Sequence, residues 1–486
     1  MYRRLFLATA SLAGAFVITA TSALFAQQLP FQATGFKVGE VSSSSAIIWT
    51  RLTLRPDRNP ADGPMVEIRY ANDSGGRRQR AVQEVVYPPN VTVADIRNAA
   101  PGGNGQVRVG YRPHGTERWK LTSWQTVDPA RDFTHQFQLN RLTPNTSYDV
   151  VVQSRLDNSR RPGASRHGNF RTAPRSRTPS PVLFTVSTGQ MYNDLDHPDG
   201  FLIYPSMLKL RPSFFVHTGD IVYYDRLAKT EALARYHWQR TYSLPTNMIF
   251  HQHTSSYFIK DDHDSWVNDC WPTMQTKYMH KLTFTRGLEI FREQVPMGRS
   301  TYRTRRWGQD LQIWMVEGRD FRSANTDPDS ADKTIWGEQQ KEWFKRTVQQ
   351  SDASFKILIS PTPLVGPDRD NKNDNHSNKG FTHEGNELRD FIASQEKMVV
   401  ICGDRHWQYM SVDPRTGIRE YSCGPASDQH AGGWQQSDYR EDYHKYLNVT
   451  GGFLSVMVQR LKGTPTLTFQ YHNVDGSVNF TDQLTR

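Results

Sequence analysis

The chain has 486 residues, 36% of them hydrophobic and 22% charged, which excludes a disordered polyelectrolyte and leaves room for two to four globular domains. Lys and Arg number 59 against 49 Asp and Glu, a net charge of +10 that suits an anionic partner, but no long basic run indicates specific nucleic-acid recognition. Three cysteines, Cys270, Cys402 and Cys423, are too few for a disulfide framework beyond one bridge, and the absence of a CxxC pair removes the usual zinc-site spacing.

Residues 1–26, "MYRRLFLATASLAGAFVITATSALFA", have a basic start, a short apolar middle and small residues at the end, the pattern of a signal peptide. Arg3-Arg4 followed by "LFL" resembles a twin-arginine export signal, with Tyr2 where that signal usually has Ser or Thr. This predicts a periplasmic or secreted protein handled by the twin-arginine export machinery. No later segment is apolar and long enough to span a bilayer, so the mature chain is expected to have no membrane span.

Residues 30–173 read as short alternating strands: "AIIWTRL", "MVEIRYA", "THQFQLN" and "SYDVVVQSRL". "LTPNTSYDVVV" resembles an immunoglobulin or fibronectin type III module, with Tyr148 as its corner tyrosine and "GNFRTAP" as its last strand. The stretch from Asn72 to about Gly110 reads as a long insertion or loop. Residues 174–181, rich in proline, read as a linker.

Over 182–486 buried-looking strands alternate with helical stretches, the grammar of a layered α/β fold. The strands are "VLFTVSTG", "PSFFVHTGD", "SSYFIKDDHD", "LQIWMVEGRD", "FKILISPTP" and "KMVVICGDRHW"; "TEALARYHWQRTY" and "GEQQKEWFKRTVQQ" have helical spacing. Four of the strands end in groups able to bind metals or anions: Asp220 and Tyr223, Asp261 to Asp264, Glu317 with Arg319 and Arg322, and Asp404 to His406. Ligands bind beyond the carboxyl ends of strands in α/β sheets. Adjacent carboxylates resist ionising together, and a cation removes that conflict.

"HTGDIVYYD", "DDHDSWVND", "EGRDFR" and "GDRHW", in this order behind an immunoglobulin-like module, resemble the PhoD-like alkaline phosphatase/phosphodiesterase family of the calcineurin-like metallophosphoesterases. The resemblance covers essentially the whole mature chain. It implies a layered metallophosphoesterase-type β-sandwich flanked by helices, preceded by an immunoglobulin/fibronectin-like β-sandwich. It further implies an exported hydrolase of phosphate mono- or diesters that uses divalent or trivalent metal ions, Fe(III) and Ca(II). Asp220, Tyr223, Asp262, Asp404 and His406 would hold the metals. His263, Arg319 and Arg322 would act on the phosphoryl group, and Asn268, Arg405, His376 and His383 would contact the substrate.

One position departs from the family: Gly189 in "VSTGQMYND" stands where a cysteine is usual, and Gln190, Tyr192 and Asn193 offer no thiolate. Magnesium, manganese, calcium or zinc could then replace iron, and Cys270 is the one cysteine close to the acidic cluster in sequence. Glu317 stands where the family often has Asp. Asp261 and Asp264 are candidates for positioning or capping roles rather than ligation. "SPTPLVGPDRDNKNDNHSN" and "FTHEGNELRDF" are loop and helix-start segments that would shape the substrate pocket, with His383 and Glu384 just before a helix. Two other readings stand beside hydrolysis of phosphate esters: a catalytically degenerate scaffold serving as a surface-binding protein, and a hydrolase of another anionic ester such as a sulfate.

Overall fold

The computed structural model describes residues 29–71, 80–157 and 159–486; the expected signal peptide, residues 1–26, lies outside them. Two large sheets pack face to face. One has nine strands in the order Val478–Thr485, Thr464–His472, Phe453–Leu461, Val182–Ser187, Phe214–His217, Ser256–Phe258, Phe36–Gly39, Ser45–Arg51 and Thr134–Asn140. The other has seven, in the order Arg303–Trp307, Leu311–Met315, Phe355–Ser360, Met398–Cys402, Arg419–Cys423, Gln408–Val412 and His444–Asn448.

Alternation decides what meets between them. Phe184, Val186, Phe214 and Val216 point inward from the first sheet against Ile313, Met315, Ile357, Ile359 and Ile401 from the second. Aromatic pairs cross the gap: Phe214 lies 4.7 Å from Trp307, and Tyr421 stacks at 3.7 Å on Phe469, centroid to centroid. The outer faces carry helices such as Glu231–Tyr242 and Glu338–Gln349. The first starts where the Thr230 hydroxyl accepts the Leu233 N–H, and it buries Leu233, Ala234, Trp238 and Tyr242.

The N-terminal part is a β-sandwich. Ser165–Arg171, Ser147–Arg155 and Gln106–Pro113, with the short Lys120–Leu121 and Gln125–Thr126, form a sheet whose Val107, Val109, Val150, Val152 and Phe170 pack in the same core as Val38, Ile48 and Phe137 of the nine-stranded sheet. The Tyr148 hydroxyl accepts the Thr143 N–H at 2.8 Å, a tyrosine corner that pins the turn before its own strand.

Three features differ from the expectation. Phe36–Gly39 runs parallel to Ser256–Phe258 through the pair Gly39↔Ser256, so the sandwich and the following α/β region share one sheet and one core. The 174–181 stretch contains no strand but is docked: the Gln309 N–H donates to the Thr178 carbonyl at 2.9 Å. "MVEIRYA" leaves the sandwich. Its Glu67–Tyr70 pairs with Val82–Val86 as a two-stranded ribbon whose Ile68, Tyr70 and Val85 pack on the cluster holding Trp266 and Tyr278. The expected insertion from Asn72 to Gly110 therefore contains this second ribbon strand and the start of Gln106–Pro113.

Candidate metal centre

Val182–Ser187, Phe214–His217 and Ser256–Phe258 are parallel, as are Phe355–Ser360 and Met398–Cys402, so their carboxyl ends gather at one end of the molecule. The loops that follow carry Gly189, Asp220, Asp262 and Asp404. Asp220 and Asp404 take left-handed backbone conformations, φ 56° and 63°, which aspartate tolerates better than most residues and which turn each carboxylate off its strand sharply.

A cavity of about 430 Å³ opens here, lined by Asp220, Asp262, His263, Asn268, Asp404 and His406, with Arg369 and Lys372 on its rim. Ligand atoms of Asp220, Asp262 and His263 all lie within 4.8 Å of one another. Asp220 Oδ1 is buried with no hydrogen-bond partner among the described residues, while Oδ2 stands 3.3 Å from the Tyr223 hydroxyl. Burial, with the charges of Asp262, Asp261 and Asp264, pushes the Asp220 carboxyl well above the ordinary aspartate range against the pull of His263. Burial and Asp220 likewise hold the Tyr223 phenol protonated well beyond its usual range. Burial, His430 and Arg405 keep His406 in the neutral form that binds metals. An orphaned buried carboxylate oxygen, converging acids and a neutral imidazole fit a cation.

The acidic run divides its labour. The Asp262 carboxylate accepts the His263 N–H at 3.0 Å and the Asp269 N–H at 2.5 Å. Asp264 does not face the cavity: it accepts the Asp261 N–H at 2.7 Å and the Ile221 N–H at 3.3 Å, lacing the second and third strand ends together, and burial pushes its carboxyl up to about 8. Burial raises Asp261 to about 6, although Arg319 pulls it down through a 2.5 Å contact. His263 Nδ1 lies 3.1 Å from Asp225 Oδ1, which leaves Nε2 as the ring nitrogen available to the cavity. Burial works against a charged His263, but Asp225, Asp262 and Asp220 outweigh it and raise its pKa well above the usual value.

Several residues expected to contact phosphate are elsewhere. The Arg319 guanidinium is fully buried and committed to Asp261 and to the Cys270 carbonyl, 3.3 Å away. Arg322 is buried over the Phe381 ring and donates to the Asp374 carbonyl at 2.5 Å. Arg405 is buried between Asp404 and Asp368, 2.8 Å from the latter, so it braces the Asp404 turn from behind. His376 is buried 2.9 Å from Glu384, and His383 sits in the exposed first turn of Thr382–Ala393; neither lines the cavity. That helix begins at Thr382, three residues earlier than expected, so His383 and Glu384 are inside it. Arg319, Arg322, Arg405 and His376 each found a nearer buried partner than the cavity, while His383 faces solvent.

All three cysteines are free and buried. Cys270 points at the Asp262 carbonyl, 3.7 Å away, and burial pushes its thiol up to about 12, unlike a ligating thiolate. Glu317 is part of a buried ion group with Lys260 and Asp320.

Three residues at the site were not singled out by sequence. Lys372 reaches the rim 2.8 Å from Asp269. Asp225 orients His263. His430 touches the Tyr223 hydroxyl through Nε2 at 2.6 Å. The Asn-rich tract around Lys372 was legible as a loop, and Asp225 lies two residues beyond Tyr223; His430, in "SDQHAGG", carries no local signal.

Among curated proteins there is no match to this chain. Among solved structures, one described as PhoD superposes with a TM-score of 0.70 at 14% identity, covering 95% of this chain and 90% of that one. Purple acid phosphatase PPD1 from yellow lupin (Lupinus luteus) seeds gives 0.62 at 11% identity, covering 93% and 74%. Both likenesses concern the fold. The model of the PhoD-like phosphatase family matches residues 184–450, over half of the sequence and every strand end described above, and the chain belongs to that family.

Proposed function

We propose that the protein is a metal-dependent phosphoesterase acting on phosphate mono- or diesters. The observation that carries this reading is the convergence of Asp220, Asp262, Asp404, His263 and His406 on one cavity rimmed by Arg369 and Lys372. Cations held there would polarise phosphoryl oxygens and make a bound water acidic. Asp220 would be the carboxylate common to two such ions, with Tyr223 toward one and Asp262 toward the other, and Asp404 and His406 would complete their shells. The family resemblance suggests Fe(III) for the first and Ca(II) for the second.

The chain's own groups do the rest. Arg369 and Lys372 bring positive charge to the mouth and would orient an anionic ester. His263, steadied by Asp225, would hold a proton on Nε2 for the departing oxygen. Asn268 on the cavity wall would donate its amide N–H to a phosphoryl oxygen. The expected result is turnover of bis(4-nitrophenyl) phosphate or 4-nitrophenyl phosphate that a chelator abolishes and added metal restores. Equal rates with and without chelator would sink the reading; turnover of an aryl sulfate but neither phosphate would move it to another ester.

We further propose twin-arginine export to the periplasm or beyond, supported by Arg3-Arg4 in the sequence. No helix of the described residues is long and apolar enough to cross a membrane. Replacing Arg3 and Arg4 by Lys should hold the precursor in the cytoplasm; undiminished export would refute the route.

A further inference from the structure

Gly189 follows the strand Val182–Ser187 in a left-handed conformation, φ 51°. A Cβ added there would lie 3.3 Å from His430 Cδ2 and 3.5 Å from His406 Cδ2, and the two rings are 4.0 Å apart, centroid to centroid. The space beside Asp220 and Tyr223 that a side chain at 189 would enter is thus bounded by two imidazoles. One belongs to the "GDRHW" strand end. The other, His430, arrives on the short turn Asp428–His430.

His430 is built in. Its side chain is 7% exposed, and Nδ1 lies 2.7 Å from Asp194 Oδ2, which turns Nε2 inward. Asp194 is itself fixed, since its carbonyl accepts the Ser427 hydroxyl at 2.5 Å and so ties the loop after the first strand to the loop carrying His430. His430 Nε2 is 2.6 Å from the Tyr223 oxygen, and that oxygen is 3.3 Å from Asp220 Oδ2. Two donors bound at right angles to one ion, each about 2.1 Å from it, stand about 3 Å apart. The two observed separations bracket that value. An imidazole whose far nitrogen is held by a carboxylate is the arrangement that sets ring orientation and raises donor strength at metal sites.

We propose that His430, positioned by Asp194, is a ligand to the cation on the Tyr223 side, joining Asp220 and Tyr223 and occupying the place that a side chain at 189 would otherwise reach. This rests on the metallophosphoesterase reading. The resulting oxygen and nitrogen donor set, without sulfur, suits zinc, cobalt or iron ions.

The test strips the whole chain with a chelator and titrates it with Co²⁺, followed by calorimetry and visible absorption. The wild type is expected to take up two ions. His430→Gln keeps hydrogen-bonding groups for Asp194 and Tyr223 but removes the imidazole. It is expected to bind the Tyr223-side ion at least about 10-fold more weakly, with altered d–d bands. Asp194→Asn should weaken the same ion by a smaller factor, and free imidazole should restore the bands in His430→Gly. Unchanged affinity and spectrum in His430→Gln would reduce His430 to a hydrogen-bond partner of Tyr223 and overturn the proposal alone. A wild type that takes up no Co²⁺ would overturn the phosphoesterase reading with it.

Discussion

The N-terminal sandwich and the strand ends of the α/β region are made of similar strands and treat polar groups in opposite ways. In the sandwich the buried pair Arg51–Asp132 closes on itself through two bonds of 2.9 and 2.7 Å, with the Ala100 carbonyl taking a third donor. At the strand ends, acids crowd one another. Asp220 keeps a buried oxygen with no hydrogen-bond partner among the described residues. A region whose buried charges close on each other serves the fold; one whose charges are left open serves a ligand. The difference is testable by asking which substitutions move stability and which move turnover.

The largest effect is expected at Arg319, which lies beside the site yet belongs to the first kind. Arg319→Met leaves Asp261 buried without its counter-charge and should lower unfolding free energy by about 3–5 kcal/mol. The denaturation midpoint checks it. A variant of wild-type stability with a raised KM would instead return Arg319 to the role of phosphate clamp.

Next come the open charges. Asp262→Ala and Asp404→Asn are each expected to cut hydrolysis at least about 100-fold, roughly 2.8 kcal/mol of barrier. Steady-state kinetics on metal-replete protein decide the point. Near-normal turnover in Asp404→Asn would remove the "GDRHW" strand end from the centre.

These contrasts also show what could be read from sequence. The strand tracts, the helix Glu231–Tyr242, the tyrosine corner and the clustering of Asp220, Asp262, Asp404 and His406 follow from local patterns: alternation, helical spacing, and polar groups at strand ends. Residue type could not reveal which way an arginine faces. Arg319 and Asp261 are 58 positions apart, and only the packed sheets bring them together. His430 meets Tyr223 across 207 positions from a loop with no periodicity. "MVEIRYA" alternates as well as any sandwich strand, and its partner, not its own sequence, places it in the ribbon beside Trp266 and Tyr278.

A smaller effect separates rim from floor. Lys372 is about four-fifths buried, lies 2.8 Å from Asp269 and 3.3 Å from Asp374, and lines the cavity. Lys372→Ala should raise KM for a phosphodiester about 10-fold with little change in kcat, since it would remove binding common to ground and transition states. A fall in kcat with KM unchanged would place Lys372 in the chemical step instead.

The smallest expected effect is the cleanest control, because it lies wholly in the sandwich. Tyr148→Phe removes one hydroxyl and leaves the Thr143 N–H without the acceptor it has at 2.8 Å. The ring still stacks on Phe170, with centroids 5.4 Å apart, so packing is retained. The cost is that of one part-buried hydrogen bond, about 1 kcal/mol. Urea unfolding should show that loss while kcat and KM stay at wild-type values. The shared sheet makes this a demanding test, because Gly39 pairs with Ser256 only six residues before Asp262. If the sandwich only supports the fold, a corner loosened by 1 kcal/mol leaves the metal centre untouched. If kcat falls together with stability, strain passes along Phe36–Gly39 into the acidic loop, and the two regions act as one unit.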